Sequence, residues 1–300
     1  MDDWKSKLNA DSLPWLLEPD NPSVRHFTLR DLLGRGKDDR EVRAAKAAIP
    51  KSKIVREILA AQKPGGYWEE AEKKSWPTHT YVALAILAGH GVAPNAKIKK
   101  GVEILFSNNQ HASGLFTWTG AKSGALLCFT GDMLFVLGHL GYADDSRVRQ
   151  ARDAYVAQLR AKSDLGCSRN ANKPCLWAAI AALRGYAALP PNPAARDVID
   201  HLANVLLTHK YDFAGAEKPW LRFGVPAGFD LIAALDGLAH FGFARDKRFG
   251  KLLDVMLGER DEAGRWMCRS FNTKFVVEKR GAPSKWVTLR ALKVLAKCKS

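Results

Sequence analysis

A period of about fifty residues runs through this chain and limits it to folds that lay one unit beside the next. Three stretches align without gaps: GVAPNAKI from Gly91, GYADDSRV from Gly141 and GFARDKRF from Gly242. Fainter copies are GKDDREV from Gly36 and PNPAARDV from Pro191. The apolar residue closing each segment falls at Val42, Ile98, Val148, Val198 and Phe249, giving spacings of 56, 50, 50 and 51.

Each unit reads as two helices. The first, as in TYVALAILAGH (Thr80–His90) or FDLIAALDGLAHF (Phe229–Phe241), is apolar nearly all round and is expected to be buried. A glycine turn ends it, and the aspartates that follow (Asp38 and Asp39, Asp144 and Asp145) are expected to cap the next helix. That second helix, as in SRVRQARDAYVAQLR, is amphipathic and should face solvent on one side. A Gly/Trp-rich connector closes the unit: QKPGGYW (62–68), NQHASGLFTW (109–118), KSDLGCS (162–168) and ERDEAGRW (259–266). Strand signals are scarce. About six such pairs in 300 residues predict an all-α, (α/α)6-like toroid occupying residues 1–300 as one domain, with an open helical solenoid as the alternative.

The Q-x-x-G-G-Y-W ending at Gln62–Trp68 and the G-x-W ending at Gly264–Trp266 resemble the repeats of squalene and terpenoid cyclases and of protein prenyltransferase β subunits. The resemblance spans roughly Trp15 to Leu295 and is nearest to small single-ring prenyltransferase/squalene-oxidase-repeat proteins. PWLLEPDNPSVRHFTLRDLLG and PSKWVTLRALKVL are similar to the two ends of that group. It implies a toroid with a central cavity and a hydrophobic or isoprenoid-like ligand. No Asp-x-Asp-Asp or Asp-Asp-x-x-Asp motif is present, and Asp230 is followed by Leu231 and Ile232 where prenyltransferases place a zinc-binding Cys, so neither parent activity carries over.

In an antiparallel double ring all the long connectors share one rim, the expected place for a site. On that rim Cys128 begins the third inner helix, Cys175 the fourth, Cys167 precedes it and His209 ends the neighbouring outer helix. Thiolate and imidazole suit zinc, so these four are its candidate ligands, with Cys268 in reserve; buried thiols packing as small hydrophobes are the alternative. His79, Asp132 and Asp230, read as starting inner helices, are candidate acid–base residues; helix-terminus electrostatics is the alternative for both aspartates. Connector and rim aromatics (Tyr67, Trp68, Phe116, Trp118, Trp177, Trp220, Trp266 and Trp286) either line a ligand cavity or staple connector to helix. His90, His139 and His240 recur at the ends of inner helices, where they suit terminal carbonyls.

Charge adds a second possibility. Lys and Arg number 46 against 31 Asp and Glu, a net +15, and residues 273–300 hold eight cations and one acid. Arg290, Lys293 and Lys297 fall at three-four spacing, a basic stripe for nucleic acid, an anionic ligand or another acidic partner, in which case the chain is a binding module and not an enzyme. No recognition motif accompanies the stripe. The N-terminal MDDWKSKLNA lacks a secretory pattern, no apolar run approaches the ~18 residues that span a bilayer, and five cysteines do not make a disulfide scaffold. A reduced, cytoplasmic protein is the expectation.

Overall fold

The structure, a computed structural model, describes residues 3–68, 79–118, 124–167, 171–211, 213, 219–221, 223, 229–269, 275 and 277–298. In chain order its α-helices are α1 (Leu13–Leu16), α2 (Pro22–Phe27), α3 (Arg40–Ala48), α4 (Lys53–Ala60), α5 (His79–Gly89), α6 (Ala96–Asn109) and α7 (Leu127–His139). They continue as α8 (Ser146–Ala161), α9 (Leu176–Ala187), α10 (Arg196–Thr208), α11 (Leu231–His240), α12 (Lys247–Gly258) and α13 (Lys285–Lys297). Among the described residues there is no strand; the connectors carry only isolated antiparallel bridges such as Gln110–Phe116 and Arg260–Trp266. The all-α expectation holds. The chain forms two compact units.

One unit comprises residues 59–89 and 93–209. Its helices form two layers: α5, α7 and α9 are the buried ones, and each pairs with the amphipathic helix that follows it, α6, α8 and α10. The amphipathic helices start where the turns predict. Asn95 Oδ1 accepts from Ile98 N–H at 3.0 Å, and Asp145 Oδ1 accepts from Arg147 N–H at 2.9 Å, each satisfying a first-turn donor. Arg147 on α8 reaches Glu103 on α6 at 2.7 Å, and Arg160 on α8 reaches Asp197 on α10 at 2.7 Å, tying the outer layer laterally.

The α7–α9 contact is the closest in this unit. A Cβ on Gly131 would lie 2.5 Å from the Ala181 carbonyl, one on Gly138 would lie 2.4 Å from the Ala188 oxygen, and one on Gly185 would meet the Gly131 oxygen at 2.7 Å. Any side chain larger than hydrogen is therefore excluded at all three positions. Gly131 faces Ala181 and Gly138 faces Ala188, each partner 50 residues on, so the two helices run parallel in the register of the repeat itself.

Connectors are fixed to the buried helices by one recurring bond. The backbone N–H of Trp68 donates to the Thr80 hydroxyl at 3.1 Å, and that of Phe116 to Thr130 at 3.0 Å. In both cases the aromatic and the threonine are buried, with exposures of 0–1%. Two residues before each aromatic, Gly66 (φ 99°) and Gly114 (φ 88°) take the left-handed conformation that closes the turn. The glutamines of the motif add a second tie: Gln62 Nε2 donates to the Gly66 and Lys97 carbonyls at 2.9 and 2.8 Å, and Gln110 Nε2 donates to those of Gly114 and Arg147, both at 3.1 Å.

The second unit comprises residues 1–58, 90–92 and 210–300. Its buried helix α13 packs on α11, α2 and α1. The connector bond recurs, with Trp266 N–H donating to the Thr288 hydroxyl at 3.0 Å and the Trp266 indole N–H to the Met256 carbonyl at 2.7 Å. Asp39 and Asp246 cap α3 and α12 as expected, at 2.8 Å to the N–H of Glu41 and of Arg248. Chain ends meet in this unit: Lys285, only 6% exposed, pairs with Glu18 at 2.7 Å and with Asp20, and its ammonium lies 5.6 Å from the Trp15 ring.

Replacing Gly131 with Ala should separate α7 from α9. The expected cost is at least about 1–3 kcal/mol, read as a lower urea midpoint with unchanged slope. An unchanged midpoint would contradict the close approach.

Candidate functional site

Helix α5 is buried except at Tyr81, Ala85 and Gly89, a single line at four-residue spacing. On α7 the corresponding line runs through Cys128, Asp132, Phe135 and His139, and on α9 through Trp177 (47% exposed), Arg184 and Ala188. These lines form the open face of the layer. Asp132 sits on it and is 7% exposed. It lies within α7, in its second turn, and not at the helix start that the sequence suggests, because α7 begins at Leu127.

The Tyr81 hydroxyl donates to Asp132 Oδ2 at 2.7 Å, and Arg184 Nη1 lies 3.3 Å from Oδ1. Burial pushes the Asp132 carboxyl above its ordinary value, and Arg184 and Tyr81 offset only part of that shift. Burial and the adjoining Asp132 carboxylate hold the Tyr81 phenol well above its ordinary value, so it stays a donor. Aromatic rings surround the carboxyl. Tyr81 meets Phe129 edge-on at 5.1 Å, Trp118 stacks on Phe129 at 4.8 Å, and the Arg184 guanidinium lies 4.1 Å from the Phe135 ring.

The thiols converge at the N-terminal end of the same layer. Cys128 is in the first turn of α7, Cys175 is the N-cap of α9, and Cys167 lies in the connector between α8 and α9. Cys175 sulfur accepts from the Cys128 thiol, from the backbone N–H groups of Ala178 and Trp177, and from the Cys167 thiol. The Cys128 hydrogen bond outweighs burial and draws Cys175 down to about 6. Donating that proton, together with burial, pushes Cys128 far up. His209 is the exposed C-cap residue of α10, and partial burial lowers its pKa. Among the described residues no group of three or more His, Cys, Asp or Glu side chains could hold a metal ion. The four residues expected to ligate zinc thus do not fit it as described: three contact one another as thiols, and no step is routed through a metal.

Cys167 occupies a telling position. Leu165 N–H bonds to the Lys162 carbonyl at 2.9 Å, just as Gly66 N–H bonds to Lys63 and Gly114 N–H to His111. Cys167 therefore stands where the other connectors place Trp68 and Phe116, and Leu165 (φ 54°) stands where they place glycine. Aligning KSDLGCS with QKPGGYW would have revealed this substitution from sequence.

In the other unit, Asp230 is the N-cap of α11, accepting from Ala233 N–H at 2.9 Å, and it receives Arg290 bidentately at 2.7 and 3.0 Å. At 1% exposed it is a buried structural carboxylate. The basic stripe on α13 exists, but each cation meets an acid: Arg290 with Asp230, Lys293 with Asp31 at 2.8 Å and Lys297 with Asp236 at 2.6 Å. Burial pushes the Asp236 carboxyl up, yet Lys297 and Lys293 outweigh it and leave it below its ordinary value. Internal pairing thus removes the specific support for nucleic acid or another acidic partner. Cys268 is buried, its N–H on the Ala282 carbonyl at 3.0 Å. The His79 side chain lies outside the described residues. His90 and His139 end α5 and α7 as expected, the latter with Nδ1 2.9 Å from the Phe135 carbonyl. His240 ends α11, and burial with nearby Lys297 lowers its pKa, favouring the neutral ring.

The fold and face define an all-helical repeat protein with an acidic group set among aromatics. No family model matches the chain, and comparison with curated proteins finds no match. Among solved structures it is similar to the type II terpene cyclase MstE from Scytonema in its apo form, at 14% identity and TM-score 0.34, covering 81% of this chain and 95% of that one. It is also similar to a variant of that cyclase in complex with its substrate geranylgeranyl dihydroxybenzoate, at 13% identity and TM-score 0.35, covering 82% and 95%. Among the described residues no helix is long and apolar enough to cross a membrane.

Arg184→Met should cost about 3–5 kcal/mol near neutral pH by leaving Asp132 buried and unpaired. The folded-state pKa of Asp132 lies above the unfolded value of 3.8, so its contribution is favourable below that value and is lost as pH rises through the folded pKa. Without Arg184 the folded pKa rises further. The gap between variant and parent should therefore shrink as pH falls, which urea titrations across the acid range will read; a pH-independent gap would contradict the pairing.

Proposed function

We propose that the open face of α5, α7 and α9 takes a hydrophobic, isoprenoid-like ligand and that Asp132 is the acid–base group acting on it. The observation that carries this reading is a carboxyl of raised pKa enclosed by Tyr81, Phe129, Trp118 and Phe135. An apolar surrounding favours the protonated acid and suits an apolar ligand equally. On giving its proton to the ligand, Asp132 becomes a carboxylate that Arg184 at 3.3 Å and the Tyr81 hydroxyl at 2.7 Å are placed to stabilise. The Gly/Trp connector repeats, which resemble those of terpenoid cyclases, support the ligand class. Asp230, engaged by Arg290 and by the α11 N-terminus, takes no chemical role.

The test uses a geranylgeranyl-chain lipid. Saturable quenching of tryptophan fluorescence should report binding, through Trp118 and Trp177. Asp132→Asn should retain that binding while any product detected by mass spectrometry falls by about 10²–10⁴-fold. Absence of saturable quenching, or a product yield unchanged by Asp132→Asn, would contradict the reading.

A further inference from the structure

The open face does not use the thiols beside it. Three cysteines from three separate elements touch through Cys175: Cys128 on α7, Cys167 in the connector, and Cys175 at the head of α9. Two are half-buried and open to small solutes, whereas Cys128 is buried behind them. The backbone N–H groups of Trp177 and Ala178 point at Cys175 sulfur, where they stabilise a thiolate. The same connector holds every non-glycine residue of positive φ among those described: Leu165 (54°), Ala171 (49°) and Asn172 (57°). Each costs of order 1–3 kcal/mol, a concentration of strain absent from the other connectors. This is also the connector in which the aromatic has been replaced by Cys167.

We propose that Cys175, with Cys128 and Cys167 as its resolving thiols, is a dithiol–disulfide site that reacts with low-molecular-weight disulfides. Cys175 thiolate attacks one sulfur of the small disulfide, the S–S bond breaks, and one small thiolate leaves. Cys128 or Cys167 then loses its proton and attacks Cys175 sulfur, forming the internal disulfide and expelling the second small thiolate. Two protein thiols are oxidised, one disulfide is reduced to two thiols, and the protein's two protons end on them. The hydrogen bonds that already join the sulfurs place the resolving thiols beside the attacked atom. The lowered pKa of Cys175 keeps it ionised at neutral pH. The step is independent of the ligand assigned to the open face.

The fully reduced 300-residue protein is exposed to glutathione disulfide at neutral pH, trapped with an alkylating agent and mapped by non-reducing peptide mass spectrometry. Cys175 is expected to be modified about tenfold faster than Cys298 and to end in an internal disulfide with Cys128 or Cys167. In a Cys128→Ser/Cys167→Ser double variant Cys175 should stop at the mixed disulfide with glutathione; Cys175→Ser should leave Cys128 and Cys167 reduced. Circular dichroism confirms that each variant is folded. Three results would overturn the proposal: equal labelling of Cys175 and Cys298, no internal disulfide in the parent protein, or thiols that react only after a chelator has removed a bound metal.

Discussion

Much of this structure depends on a hydroxyl. Thr80, Thr130 and Thr288 each sit in the first turns of a buried helix and accept the backbone N–H of a connector aromatic: Trp68, Phe116 and Trp266 respectively. The connector must bury its bulky ring to close the layer, which drags a backbone donor out of water with it. An unsatisfied buried N–H would cost about 1–3 kcal/mol. A threonine at this position solves the problem without interrupting the helix, and the bond pins the connector to the helix it leads into. The long connectors thus become rigid parts of the scaffold.

Where that bond is missing, chemistry takes its place. The connector between α8 and α9 has Cys167 at the aromatic position and Leu165 at the glycine position. It is held instead by thiol contacts among Cys167, Cys175 and Cys128. Meanwhile α7 and α9 approach so closely at Gly131, Gly138 and Gly185 that their mutual position is fixed by backbone contact. That rigidity sets Asp132 and Arg184, 52 residues apart in sequence, within 3.3 Å, and sets Cys128 beside Cys175. A repeat protein has gained a distinct site by breaking its own repeat.

The period, the alternation of buried and amphipathic helices and the capping aspartates were legible in the sequence, because each is a local pattern: Asp39, Asp145 and Asp246 all cap as their positions suggest. Convergence of Cys128, Cys167 and Cys175 followed from the phase of the repeat. Asp132 was misplaced because Leu126, a residue with no capping side chain, precedes α7, so nothing marks that helix start. The pairing of the basic stripe was hidden for a different reason. Arg290 and Lys297 find Asp230 and Asp236 some 60 residues away, and Lys293 finds Asp31 near the other end of the chain. Charge counts along a sequence do not register such neighbours.

Amide hydrogen exchange at Trp68, Phe116 and Trp266 tests the connector account most directly, compared among the parent protein and Thr80→Val, Thr130→Val and Thr288→Val. The account predicts that each substitution lowers protection by about tenfold or more at its own aromatic while leaving the other two protected. Unchanged protection at the matching aromatic would show that the hydroxyl does not hold the connector and would contradict the account.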